Sequence, residues 1–114
     1  MSELLDALRE AGNDVDDALA RFMGNEGMYV KFLGKLQADD SFDKLGVAFA
    51  SGDVKETFAA SHTLKGVLGN LGLTKLVELN TPIVETARGG NLPAAADVDT
   101  FKAAYVETLA LING

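Results

Sequence analysis

Apolar residues recur at three- and four-residue spacing along nearly the whole chain, and no stretch alternates for long, so the pattern predicts helices throughout. Glycines and short polar clusters cut this pattern into about seven pieces. The first, 2–11, ends at Gly12-Asn13, and the second starts at Asp14, a good N-cap, and runs to Gly24. A third, 26–38, puts Tyr29, Phe32, Leu33 and Leu36 on one stripe. Asp39-Asp40-Ser41 interrupts it, and 42–50 continues as a short helix ending at Ser51-Gly52. Asp53-Val54-Lys55-Glu56 reads as a capping box that opens the longest helix, which runs through Leu71 and stops at Gly72. Another helix spans 74–88 and closes at Gly89-Gly90. Pro82 inside it removes a backbone donor and is expected to kink or split it. The last helix begins between Pro93 and Asp99 and carries Phe101, Tyr105 and Leu109.

Short connections between amphipathic helices favour antiparallel neighbours. The expected architecture is therefore all-α: an antiparallel up-down four-helix bundle with additional short N-terminal helices. Its staves are 26–51 with the break, 53–71, 74–88 and 97–112, and residues 1–24 flank the bundle. A chain of 114 residues has room for one domain.

Composition then removes function classes. There is no cysteine and a single histidine, which excludes thiol chemistry, disulfides and His-rich metal sites. A net charge of −7 argues against a nucleic-acid surface, which needs clustered Lys and Arg. No basic segment leads into an apolar run, and no stretch approaches the roughly 20 apolar residues of a membrane span. A cytoplasmic location is the expectation. A Ser/His/Asp set, a P-loop and a dinucleotide fingerprint are all missing, so an ordinary enzyme is not expected.

The helix after Asp53 carries the chemistry. With Leu64 as the core direction, Thr57, Ala60, Ser61, Val67, Leu68 and Leu71 fall within roughly 60° of it at about 100° per residue. His62 lies roughly 160° away and faces outward. Lys55, Phe58, Ala59, Lys65, Gly66 and Gly69 lie within about 60° of His62. Glycine inside a helix costs roughly 1 kcal/mol relative to alanine, and here two sit on one face away from the core. A surface cleared of side chains around one histidine lets another protein's active-site loops reach the imidazole. Phe58 reads equally as an exposed apolar contact or as core at the margin of the stripe.

A neutral imidazole nitrogen with solvent access is a competent nucleophile toward a phosphoryl group presented by a partner. Lys65, one turn on, can neutralise charge on a phosphate at His62. A lone surface histidine is usually only solvated, so the weight rests on the combination of His62, Lys65, Gly66 and Gly69.

His62-Thr63-Leu64-Lys65-Gly66, followed by Asn70-Leu71-Gly72, resembles the H-x-L-K-G signature, with a downstream L-G, of the histidine-containing phosphotransfer (HPt) domains of two-component phosphorelays. The segment 15–22, the Tyr29 helix and Gly52-Asp53 extend the resemblance to free-standing bacterial members. The resemblance implies a four-helix bundle that passes phosphoryl groups between the aspartates of response-regulator receiver domains without binding ATP. Carried onto this chain, it makes His62 the phosphorylated residue (at Nε2), Lys65 its phosphate-stabilising neighbour and Gly66 the clearance residue. It implies a receiver domain or a hybrid histidine kinase as partner and no cofactor or metal of its own. It also suggests apolar docking contacts from the N-terminal helices, through Leu19 or Met23. A monomer is expected, and the chain's end at Ile112-Asn113-Gly114 favours a free-standing protein over a kinase module. The position that orients the histidine's second nitrogen in some members falls near Thr81 or Val84, leaving Thr81 or water for that role. The alternative is a non-catalytic helical adaptor that binds its partner through the same face.

Overall fold

The structure is a computed structural model, and it describes residues 2–114, so Met1 of the flanking segment lies outside it. Seven α-helices form among the described residues: α1 (Ser2–Glu10), α2 (Val15–Arg21), α3 (Glu26–Gly34), α4 (Ser41–Ala50), α5 (Val54–Asn70), α6 (Thr74–Arg88) and α7 (Ala95–Asn113). A single 3₁₀ turn, Lys35–Ala38, follows α3. The fold is an all-α helical bundle, as the periodicity predicts. Helix α5 packs most extensively, with α4 on one side and α6 on the other, and α7 closes against α6.

Side chains at the helix starts explain several boundaries. Asp14 accepts from the Asp17 amide, Asn25 from Met28 and Asp53 from Glu56, each satisfying an orphan N–H of a first turn. The capping box at Asp53 is only half made. The Asp53 N–H donates to the Ala48 carbonyl at 2.9 Å, closing α4, and so is not available to the Glu56 carboxylate. Pro82 does not split α6. Both Pro82 and Glu78, whose carbonyl loses its i+4 donor, lie on the exposed side, where water can replace the bond. Buried Ile83, Val84 and Ala87 hold the following turn in place.

The core runs the length of the bundle through Leu5, Leu8, Leu33, Leu45, Leu64, Leu68, Leu76, Ile83 and Phe101. Phe42 stacks on Tyr105 with centroids 4.0 Å apart and planes 3° from parallel. At the C-terminal end of α5, Tyr29 donates to the Leu71 carbonyl at 2.6 Å. Beside that bond Gly72 sits at φ +69°, and a Cβ there would overlap Ala18 and come within 3.4 Å of the Tyr29 hydroxyl.

Helices α1 and α2 are fastened to this end by polar bonds. Asn13, buried between them, donates to Leu8 O at 2.9 Å and accepts from the Lys75 amide at 3.1 Å. It thereby caps α6, whose own N-cap residue Leu73 has no side chain able to do so. Thr74 Oγ1 accepts from the Asp14 amide and donates to Gly12 O. Arg9 pairs with Asp6 and Asp16, joining α1 to α2.

Gly72→Ala combines a left-handed backbone with a steric clash and should cost roughly 2–5 kcal/mol in a denaturant titration. Burial, with Asp39 and Asp43 adding to it, pushes the Tyr105 hydroxyl up to about 12 from 10.0, and burial does the same to Tyr29. The unfolded chain then ionises first, so stability holds below pH 10 and falls as pH rises from 10 toward 12. The Tyr105 hydroxyl is buried without a protein hydrogen-bond partner among the described residues. Tyr105→Phe should therefore leave neutral-pH stability equal or higher by up to about 1 kcal/mol and flatten part of the alkaline loss, read as melting temperature against pH.

Candidate functional site

The stripe Thr57, Ala60, Ser61, Leu64 and Leu68 of α5 is buried, and His62 is exposed on the opposite face, where the helical wheel puts it. The two turns around His62 are reinforced locally. Ser61 Oγ donates to Phe58 O at 3.2 Å and Thr63 Oγ1 to Ala59 O at 3.0 Å. Lys55, Ala59, Lys65 and Gly66 are exposed around the histidine, and Gly69 is half-buried. A Cβ built on Gly66 or Gly69 meets nothing within 4 Å, so neither glycine serves packing within the molecule. Lys65 makes no ion pair among the described residues.

Phe58 is half-buried, between the two alternatives its place on the wheel allows. Its ring stacks on His62, centroids 5.3 Å apart and planes 22° from parallel. The guanidinium of Arg88, at the end of α6, lies over the same Phe58 ring, 5.1 Å from its centroid. Arg88 also pairs with Glu85 at 3.5 Å. The nitrogens of His62 have no protein hydrogen-bond partner among the described residues. Thr81, the polar residue nearest the expected orienting position, spends its proton on Val77 O at 2.8 Å, and Val84 is buried.

Beneath the site, Asn80 of α6 is buried and donates Nδ2 to Ser61 O at 2.9 Å, tying the peptide before His62 to the next helix. Asn80 is the one polar member of the α6 core stripe Leu76-Asn80-Ile83-Ala87, a signal visible in the sequence that the reading there passes over. Arg88 carries no comparable signal, because a cation in the last turn of a helix is ordinary.

Charge is divided across the face. Lys55 and Lys65 are exposed on the face of α5 that bears His62, and Arg88 of α6 reaches that face over the Phe58 ring. On the α4 side a groove of about 390 Å³ is lined by Asp39, Asp40 and Glu56, with Lys44 paired to Asp40, and reaches Ala59 and Thr63. Arg21 of α2 donates to Gly69 O at 2.8 Å, so the N-terminal helices end about 10 Å along α5 from His62, at 1.5 Å per residue. Met23, at positive φ, is 96% exposed there, whereas Leu19 is half-buried against the core. Phe32 and Met28 are partly exposed on α3.

A family model described as the Hpt domain matches residues 28–110. The chain belongs to the Hpt family. Comparison with curated proteins and with solved structures gives no match. Hpt domains carry phosphoryl groups in two-component signalling, where they interact with response-regulator receiver domains and histidine kinases, and they are not ATP-binding enzymes of the ordinary kind. The Hpt match begins inside α3, so α1 and α2 lie outside it although Asn13, Asp14 and Arg21 bind them to α5 and α6. No helix among the described residues is long and apolar enough to cross a membrane.

Because the Cβ at position 66 meets only open space, Gly66→Ala should raise stability by roughly 1 kcal/mol, measured by denaturant unfolding.

Proposed function

We propose that this protein relays a phosphoryl group through His62 between the aspartates of receiver domains. The observation that carries this reading is the exposed imidazole on a helix face kept bare by two glycines with no packing role, with an uncommitted lysine one turn away. Such a face costs helix stability and is repaid only when another protein's active site closes over it.

In the proposed transfer, His62 is neutral with its proton on Nδ1, and the Nε2 lone pair attacks the phosphorus of a receiver's aspartyl phosphate. The N–P bond forms as the acyl phosphate P–O bond breaks, and the aspartate leaves with the bonding pair. Lys65 offsets negative charge on the equatorial oxygens, and in-line placement does most of the remaining work. The reverse reaction passes the group to a second receiver. A hybrid histidine kinase's own receiver domain serves equally as donor, which places the protein in the cytoplasm. Lys55, Phe58, Ala59, Gly66 and Gly69 form the docking face, with Met23 and Leu19 at its edge. Residues 1–114 act as one monomeric unit, in which 26–112 form the bundle and 1–24 flank it. The bonds from Asn13, Asp14 and Arg21 support treating the flank and bundle together.

Incubation with a phosphorylated receiver should yield an acid-labile, base-stable phosphoprotein, and His62→Gln should stay unlabelled while its melting temperature is kept. Labelling that survives this substitution refutes the assignment. If His62→Gln binds the receiver and sustains signalling as well as the wild type, the face belongs to an adaptor instead. Gly66→Ala, though more stable, should accept the phosphoryl group more slowly.

A further inference from the structure

We propose that Phe58 is the positioning residue for the nucleophile: its ring, stacked on the imidazole, sets the orientation of His62 in place of a hydrogen bond to the second ring nitrogen. This rests on the relay reading above and concerns how that same site is organised.

The χ2 torsion of histidine is broad, so an exposed imidazole without a hydrogen-bond partner turns freely about its Cβ–Cγ bond. His62 is in that situation, since neither ring nitrogen has a protein hydrogen-bond partner among the described residues; Thr81 Oγ1 donates to Val77 O and makes no bond to the ring, and Val84 has no polar group. The contact that restrains the plane of the imidazole is Phe58, one turn earlier, at 5.3 Å and 22°. An i,i+4 aromatic pair in this offset arrangement is favourable in a helix. An offset contact of this kind lies against part of one face of the imidazole, and His62, being exposed, keeps its edge nitrogens open to a partner.

The Phe58 ring is itself held. It is half-buried, and the Arg88 guanidinium lies 5.1 Å from its centroid, an attractive cation–π placement. The Ser61 hydroxyl bond to Phe58 O and the Asn80 bond to Ser61 O steady the backbone between the two rings. Phosphoryl transfer depends on in-line geometry, so restraining one torsion before the partner arrives acts on the rate of the transfer step, separately from any contact Phe58 makes in docking.

Two measurements test this. In the NMR spectrum of the unphosphorylated protein, the ring protons of His62 should show upfield ring-current shifts that vanish in Phe58→Leu and persist in Phe58→Tyr. In transfer from a phosphorylated receiver, Phe58→Leu should lower the rate at saturating receiver roughly tenfold, whatever it does to docking, and Phe58→Tyr should restore it. Unshifted His62 ring protons in the wild type, or a Phe58→Leu protein that transfers at the wild-type rate, overturn the proposal. A wild-type protein that is never labelled overturns the relay reading itself, and the NMR arm then still decides whether the stack exists.

Discussion

The rotation of α5 about its own axis governs everything else in this molecule. Leu64 and Leu68 are fully buried between α4 and α6, and Thr57, Ala60 and Ser61 extend the same stripe. Once that stripe is inside, a residue at His62 has nowhere to point but outward. Asn80 then holds the register by gripping the Ser61 carbonyl from α6. Hydrophobic burial thus aims the His62 side chain, and one interhelical hydrogen bond holds that register.

The same helix accepts a local loss of stability to stay bare. Gly66 and Gly69 leave open space where alanine would fit without a clash, whereas Gly72, a few residues on, is required by a positive φ and by Ala18 pressed against it. Glycines in one helix and its terminator therefore differ in kind: Gly72 is required by its surroundings, whereas nothing among the described residues requires Gly66 or Gly69. The division of charge follows similar logic. In the proposed relay, the cations of the His62 face lie on the phosphate side, while the mostly acidic groove beside α4, which Lys44 also lines, gives the face a polarity.

Much of this was legible in the chain. The helical period, the caps at Asp14 and Asp53 and the glycine stops set the element boundaries closely, because these are interactions within one or two turns. The outward face of His62 and its glycines were legible for the same reason. What escaped the sequence reading are pairings between helices. The Asn80–Ser61 bond and the placement of Arg88 over Phe58 depend on how α6 lies on α5, which periodicity does not encode. Pro82 misleads in the same way: its cost depends on whether the orphaned carbonyl faces water, and here it does. The half-made box at Asp53 shows two helix ends competing for one N–H, and the closer of α4 takes it.

Asn13 carries a consequence for how the chain comes together. Its side chain caps α6 from a position 62 residues earlier in sequence, so the first turn of α6 lacks this partner until the N-terminal segment has arrived. Most contacts in a helical bundle form between neighbours in sequence and form early, but this one requires closure of a loop spanning more than half the chain. The α5–α6 hairpin, which presents His62, is thus expected to assemble first with a frayed entrance to α6. The arrival of α1 and α2 then becomes the late step that locks this end of the bundle into its final shape.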